Sequence, residues 1–272
     1  GKSTFLHFSE GLVHIVYIDY LKLAASYENK CRVEEVTDTQ IESMLDMMAQ
    51  NYDGYCFDED YEKKVFSTWS VNDFFQSVVS NKFVYFGEYW YDNGGLPSIL
   101  VNYLKTHELN IFEYLDKDKF LKVSSDDFKN PTALTTINQN VLMCQTGYLT
   151  LRSDLNKTST VALGIPNGEI YKALNRLLAN NIFKGNTDIT DDYGRSLLEV
   201  GTVDDIINLF NSALNSVSYD NYPIVSESSV QNMLKLYLLG AHQEVLSEVH
   251  EAKCRSDLVV NTDNRRIVFE FK

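Results

Sequence analysis

The stretch DLVVNTDNRRIVFEFK, residues 257–272, decides the fold that we expect at the end of this chain. An apolar run follows Asp257, four turn-forming residues come next (261–264), and an alternating run fills 265–272. This pattern predicts a β-hairpin. Successive side chains of a strand point to opposite faces. The face expected to join the core carries Ile267, Phe269 and Phe271, and the opposite face carries Arg266, Val268, Glu270 and Lys272.

The predicted hairpin brings together residues that bind metals. Asp257 lies near the start of one strand, and Glu270 lies near the end of its neighbour. Mg²⁺ (or Mn²⁺) prefers oxygen ligands, so we expect Asp257, Glu270 and the carbonyl oxygen of Phe271 as metal ligands. Lys272, on the face of Glu270, is expected to act on the attacking water or on the phosphate charge, and Glu227 is a weaker candidate for a further carboxylate. The pattern predicts a metal-dependent nuclease whose catalytic residues are Asp257, Glu270 and Lys272.

A second interpretation of the same residues stays open. An aspartate followed thirteen residues later by Glu-x-Lys is a loose pattern, and these charges are equally compatible with solvated side chains on a hairpin surface. The elements expected before the hairpin add support for the metal site. A helix at 229–240 and a strand at 244–249 give the order helix, strand, strand, strand.

Composition limits the class of protein. The chain has 272 residues, 44% of them hydrophobic and 12% aromatic, which is enough for one large packed domain or two ordinary ones. No apolar run approaches the roughly 18 residues that span a membrane, and no signal peptide is visible, so no membrane partner is expected. The four cysteines are scattered without a CxxC pair, which favours reduced thiols and a cytoplasmic location.

The negative charge is unevenly distributed. The formal net charge is −14. Residues 250–272 hold five basic and four acidic residues, and the remaining 249 hold 19 basic and 34 acidic residues, or −15. Phosphate neutralisation dominates nucleic-acid affinity, so the acidic body disfavours a broad DNA-binding surface. It does not disfavour a small metal-bridged site at one end.

Patterns elsewhere predict a helix-rich mixed α/β chain. Alternating and apolar residues within 5–21 predict strands, and short strands are also expected at 148–151 and 161–165. A capping box at Thr37-Asp38-Thr39-Gln40 predicts a helix start. Further helices are expected from about residues 70, 96, 167 and 204. We interpret the aromatic cluster 85–91 as core or a domain interface, rather than as a base-stacking platform.

A nucleotide-binding motif is only partly present. Gly1-Lys2-Ser3-Thr4 matches the end of a P-loop, and Ile15–Asp19 matches a Walker B strand. The second segment begins eleven residues after the first, which leaves no room for the helix that a P-loop fold needs between them. An ATP-binding switch would therefore need residues upstream of this chain.

Four segments, in order, resemble bacterial proteins that join an AAA-ATPase-like domain to a C-terminal PD-(D/E)XK nuclease-like domain. Residues 52–57 (YDGYCF) resemble the Y-[ND]-G-Y-x-F turn of that family. Residues 68–74 (TWSVNDF) are similar to its P-W-S-V-x-N-F helix start. Residues 145–150 (QTGYLT) resemble its F-T-G-Y-L-T strand. Residues 255–260 (RSDLVV) and 269–272 (FEFK) resemble its G-R-x-D-L-V-I and F-E-F-K segments.

The resemblance implies a domain organisation. Residues 1–221 would be the C-terminal part of an AAA-ATPase-like domain with its helical lid, and residues 222–272 an α-β-β-β PD-(D/E)XK core. The boundary would lie in the polar stretch 218–229. The chain would be a fragment that lacks the P-loop and the last helix and strand of the nuclease core.

Two functions follow as hypotheses. The first is an Mg²⁺-dependent nuclease, associated with the ATPase-like region, that hydrolyses phosphodiester bonds of nucleic acid, DNA in the first instance. The second is a non-catalytic interaction or regulatory module that binds a partner protein and keeps a vestigial site; the acidic surface and the incomplete core favour it.

Overall fold

The structure is a computed structural model. It describes residues 9–58, 61, 63–92, 98–107, 109–130, 133–153, 159–183, 193–218, 220–241, 243–250 and 255–271.

The described residues form a mixed α/β structure, and 54% of them are helical. The helices are α1 (Glu10–Val16), α2 (Ile18–Glu28), α3 (Asp38–Tyr52), α4 (Thr68–Asn81), α5 (Tyr89–Asp92), α6 (Ser98–Leu104), α7 (Ser125–Lys129), α8 (Gln139–Gln145), α9 (Gly168–Ile182), α10 (Tyr193–Val200), α11 (Val203–Asn215) and α12 (Glu227–Gly240). The strands are β1 (Leu121–Ser124), β2 (Thr150–Leu151), β3 (Thr160–Gly164), β4 (Glu244–His250), β5 (Arg255–Asn261) and β6 (Arg266–Phe269). Short 3₁₀ helices occupy Val33–Glu35 and Ile111–Glu113.

The strands of the described residues form two antiparallel three-stranded sheets, with the orders β1-β3-β2 and β4-β5-β6. The chain divides into two compact units. The first consists of residues 1–106 and 117–173, and the second of residues 107–116 and 174–272. The boundary expected near residue 221 falls inside the second unit.

The strands expected within residues 5–21 are wrong where the structure describes them, because α1 and α2 occupy residues 10–28. Val13 and Leu21 are fully buried whereas Ile15 is 74% exposed. Burial therefore follows one face of each helix, and tertiary packing overrides the β-propensity of the Ile and Val residues. The Walker B strand at Ile15–Asp19 is wrong for the same reason. Residues 1–8, with the P-loop-like segment, lie outside the described residues.

Two helix starts show how local chemistry sets element boundaries. Thr37 and Gln40 form the predicted capping box of α3, in which the Thr37 N–H donates to Gln40 Oε1 at 2.9 Å. The helix expected from Ser70 begins earlier, at Thr68. Ser67 is its N-cap and accepts from the N–H of Ser70. The Ser70 hydroxyl lies 2.8 Å from the Ser67 hydroxyl and donates to Glu169 Oε2 at 2.6 Å.

A buried core in the first unit joins α1 to α4. Tyr52 and Phe74 are fully buried in it, and Phe86 stacks on Phe74 with ring centroids 5.1 Å apart. Phe86 and Tyr89 thus pack against the core, as we predicted for the aromatic cluster 85–91, while Tyr85 is exposed.

The second unit places one helix against an antiparallel sheet. The elements α12, β4, β5 and β6 follow one another in the predicted order, and the 262–265 turn is closed by a hydrogen bond from the N–H of Thr262 to the carbonyl of Arg265, 2.9 Å. Phe210 of α11 contacts both Tyr237 of α12 and Phe269 of β6. Exposure alternates along β6 as the sequence predicted, with Arg266 and Val268 exposed and Ile267 and Phe269 half-buried. Across the described residues, no helix combines the length and apolar character needed to cross a membrane.

Candidate metal centre

The two predicted carboxylates lie next to the last paired residues of neighbouring strands. Leu258 pairs with Phe269 and Val259 with Val268. Strand β6 ends at Phe269, so Glu270 is the first residue after it. Asp257 and Glu270 therefore both lie one residue beyond the Leu258–Phe269 pair.

A hydrogen bond fixes the Asp257 carboxylate at this point. Its Oδ2 accepts from the backbone N–H of Phe271 at 2.9 Å. Asp257 is half-buried, whereas Glu270 is exposed. One oxygen of Asp257 is thus held by the backbone of the Glu-x-Lys segment, which restricts the side chain to the vicinity of Glu270 and Phe271.

Helix α12 is attached to the same point. Gln231 donates from Nε2 to the backbone carbonyl of Asp257 at 3.1 Å. Glu227 lies four residues earlier on α12, and residues at this spacing share a helix face. Glu227 is exposed at the helix start. This weaker candidate for a metal ligand therefore lies on the face of α12 from which Gln231 bonds Asp257.

Sequence reasoning missed the role of Arg265, in the turn between β5 and β6. Its guanidinium donates to the carbonyls of Leu197 (2.8 Å), Leu198 (2.5 Å) and Gly201 (2.9 Å), at the end of α10. A cation at this end complements the helix dipole. The Leu197 carbonyl also accepts from the Gly201 N–H at 2.8 Å, so the guanidinium adds a second bond there. Arg265 therefore anchors the hairpin that carries both carboxylates.

The donor set suits a hard divalent cation in kind. Two carboxylates and a nearby backbone carbonyl are ligands of the type that Mg²⁺ accepts together with water and phosphate oxygens. The described residues contain no gathered group of three or more His, Cys, Asp or Glu side chains of the kind that holds a metal by itself.

Lys272 lies outside the described residues, and its catalytic role stays a prediction. Phe271 is described, and its N–H is the group that bonds Asp257.

Comparison of the chain with known proteins finds no matching family model, no matching curated protein and no matching solved structure. Arguments about function therefore rest on the geometry of the chain itself.

Proposed function

We propose that the protein is an Mg²⁺- or Mn²⁺-dependent nuclease that hydrolyses phosphodiester bonds of nucleic acid, with DNA as the first candidate substrate. The observation that carries this proposal is the hydrogen bond between the Asp257 carboxylate and the Phe271 N–H, 2.9 Å. This bond links Asp257 of β5 to the segment that carries Glu270. Metal-dependent phosphodiester hydrolysis needs these residues close together.

The order α12-β4-β5-β6 supports a PD-(D/E)XK-like core in the second unit. The relation of this core to an AAA-ATPase-like lid in residues 1–221 belongs to the same proposal. We also place the protein in the cytoplasm, since Cys31, Cys56 and Cys144 are all free thiols.

The proposed roles divide among four residues. Asp257 and Glu270 hold the cation, and the carbonyl of Phe271 adds a third oxygen. When bound, the cation polarises the phosphoryl group and lowers the pKa of a bound water. Lys272, which lies outside the described residues, has the proposed role of stabilising the developing negative charge on the phosphate or orienting the attacking water. The Phe271 N–H keeps the Asp257 carboxylate in place for these roles.

The charge distribution restricts how a nucleic acid approaches. Residues 250–272 carry +1 while the other 249 residues carry −15. Binding of the nucleic acid is therefore concentrated at the hairpin. There the cation and the basic residues offset the repulsion between the phosphates and the acidic residues.

A cleavage assay tests the proposal. Labelled single-stranded and duplex DNA are incubated with Mn²⁺ and the wild type, Asp257→Asn, Glu270→Gln or the control Glu244→Gln. Glu244 is exposed on the same sheet and pairs with Asn261, four positions along β5 from Asp257. We expect cleavage by the wild type and the control, and a loss of about 100-fold or more in the two site variants. Equal cleavage by all four proteins would contradict the proposal.

A second candidate function, a non-catalytic interaction module with a vestigial site, is favoured by the −15 charge of the first 249 residues. It predicts that the chain binds a partner protein. The affinity for this partner should stay the same when the metal is chelated and in Glu270→Gln. Metal-dependent DNA cleavage that Glu270→Gln abolishes would decide against it.

A further inference from the structure

A cleft of about 900 Å³ opens in the first unit, built from residues that the proposed nuclease site does not use. Small-molecule sites have volumes of this order, roughly 300–1,000 Å³. The cleft is lined by Tyr55, Phe57, Asp58, Lys63, Val65, Phe66, Ser67, Thr68, Trp69, Trp90, Gln145, Thr146 and Gly147. Three of the four segments that carry the family resemblance, 52–57, 68–74 and 145–150, therefore meet in one place.

Aromatic rings form the walls of this cleft. The rings of Tyr55 and Phe57 are nearly parallel, at 3°, with centroids 6.0 Å apart. Phe57 is 79% exposed and Trp69 57% exposed, although rings of this size usually bury most of their surface. Trp90 is held edge-on against Tyr148, 4.9 Å away. The walls thus present flat apolar surface on which a planar ring can stack.

Charged and polar groups lie beside these walls. Lys63 supplies a positive charge and Asp58 a negative one. Ser67, Thr68 and Trp69 form the N-cap and first turn of α4, a helix of 14 residues whose first N–H groups carry partial positive charge. One lysine and one helix start suit a single anionic group, and the carboxylate of Asp58 opposes binding of a polyanion.

The walls are braced from behind. Glu169, which is 1% exposed, accepts from the Ser70 hydroxyl at 2.6 Å and from the Trp90 N–H at 2.8 Å. Its carboxylate therefore links the first turn of α4 to α5. Gly147, with φ of +85°, brings its backbone so close to Trp90 that an added Cβ would lie 3.3 Å from the indole ring. These contacts hold Trp90 before any ligand arrives, which lowers the ordering cost of binding.

We propose that this cleft binds a planar aromatic ring that carries one anionic group, as a nucleoside monophosphate does. The ring stacks on Phe57 and Trp69, and the anion lies near Lys63 and the start of α4. The inference does not depend on the nuclease function, since all its residues belong to the first unit.

Tryptophan fluorescence tests the proposal directly. The chain has two tryptophans, Trp69 and Trp90, and both line the cleft, so the whole signal reports on this site. The probes are adenosine monophosphate, adenosine, ribose 5-phosphate and N-acetyltryptophanamide, with N-acetyltryptophan as an aromatic carboxylate that is not a nucleotide. The last two probes fluoresce themselves and are followed by calorimetry.

We expect saturable binding of adenosine monophosphate, with adenosine at least about tenfold weaker and no binding of ribose 5-phosphate. N-acetyltryptophan binding more tightly than the nucleotide would assign the site to aromatic carboxylates and support the shared chemistry. Equal affinity of adenosine and adenosine monophosphate, or of N-acetyltryptophan and its amide, would overturn the anionic part. Failure of all ring-bearing probes to bind would overturn the proposal.

Matched variants separate the site from general effects. Phe57→Ala and Lys63→Gln are each expected to weaken nucleotide binding by about tenfold or more. Phe83→Ala removes another exposed phenyl ring (55% exposed), and Lys64→Gln removes the neighbouring charge, which lies over the Tyr61 ring. Neither control residue lines the cleft. Equal losses in the controls and the site variants would contradict the assignment.

Discussion

At the scale of single residues, burial of a carboxyl group has a measurable consequence. Burial, with a smaller contribution from the nearby Glu88, raises the pKa of Glu169 to about 7, although hydrogen bonds from Ser70, Trp90 and Tyr89 act to lower it. The group therefore changes charge near neutral pH inside the structure, whereas an unfolded chain releases this proton near its ordinary value of 4.5.

The first prediction concerns Glu169→Gln. A raised folded-state pKa stabilises the protein below the unfolded value, and this contribution is lost as pH rises from about 4.5 to about 7. The wild type should lose on the order of 3 kcal/mol of unfolding free energy across this range through Glu169. Gln keeps an oxygen for the Trp90 N–H and a donor for the Ser70 hydroxyl oxygen. Urea unfolding at several pH values should show that the variant lacks this loss; an unchanged pH dependence would contradict it.

The second prediction concerns Gly54→Ala. Gly54 has φ of +98°, and an added Cβ would lie 2.3 Å from the carbonyl oxygen of Pro166. Both the left-handed backbone and the close approach penalise a side chain, so the variant should lose about 1–3 kcal/mol of stability. Gly11 is the control, because it lies in α1 with nothing within 4 Å of its added Cβ. Denaturant unfolding in which both variants behave alike would argue against this account.

At the scale of elements, the hairpin depends on a contact far away in the sequence. Arg265 lies in the β5–β6 turn and bonds three carbonyls at the end of α10, more than 60 residues earlier. A planar guanidinium reaches three acceptors at once, which a lysine ammonium in the same place does less well. The turn and the helix should therefore lose stability together when this residue changes.

The third prediction concerns Arg265→Ala. Loss of three charge-assisted hydrogen bonds, with carbonyls left at the helix end, should cost on the order of 3 kcal/mol. Amide exchange should quicken in both α10 and β6. Arg266→Ala removes the same charge from an exposed neighbouring position and should cost less than about 1 kcal/mol. Protection of α10 that is unaffected in Arg265→Ala would contradict the proposed anchor.

Local patterns explain which elements the sequence predicted well. The capping box at Thr37, the hairpin turn at 261–264 and the helix predicted at 229–240 depend on neighbouring residues and were correct in kind. The strands predicted within 5–21 were wrong where the structure describes them, because isoleucine and valine favour strands locally while packing on α3 and α4 makes this segment helical. The neighbours of Asp257 were half predictable: its proximity to the Glu270 segment follows from the hairpin, whereas its contact with Gln231 depends on how α12 packs on the sheet.

At the scale of the whole molecule, two sites of different chemistry lie in two separate units. The carboxylate pair lies in the second unit, and the aromatic cleft in the first. Their residues do not overlap, so variants of one leave the chemistry of the other intact. In the proposed function the carboxylate site depends on a cation, since the chain has a net charge of −14 and phosphates would otherwise meet mainly negative surface.

The fourth prediction is the most direct test of the central claim, that Asp257 and Glu270 form a divalent-cation site. Mn²⁺ is titrated by calorimetry into the wild type, Asp257→Asn, Glu270→Gln and the control Glu244→Gln. Asn at 257 retains an acceptor for the Phe271 N–H, so a loss of binding reports the charge rather than the fold. We expect one Mn²⁺ site per chain in the wild type and in the control. The affinity for Mn²⁺ should fall by about tenfold or more in each of the other two variants. No binding by the wild type, or equal binding by all four proteins, would contradict it.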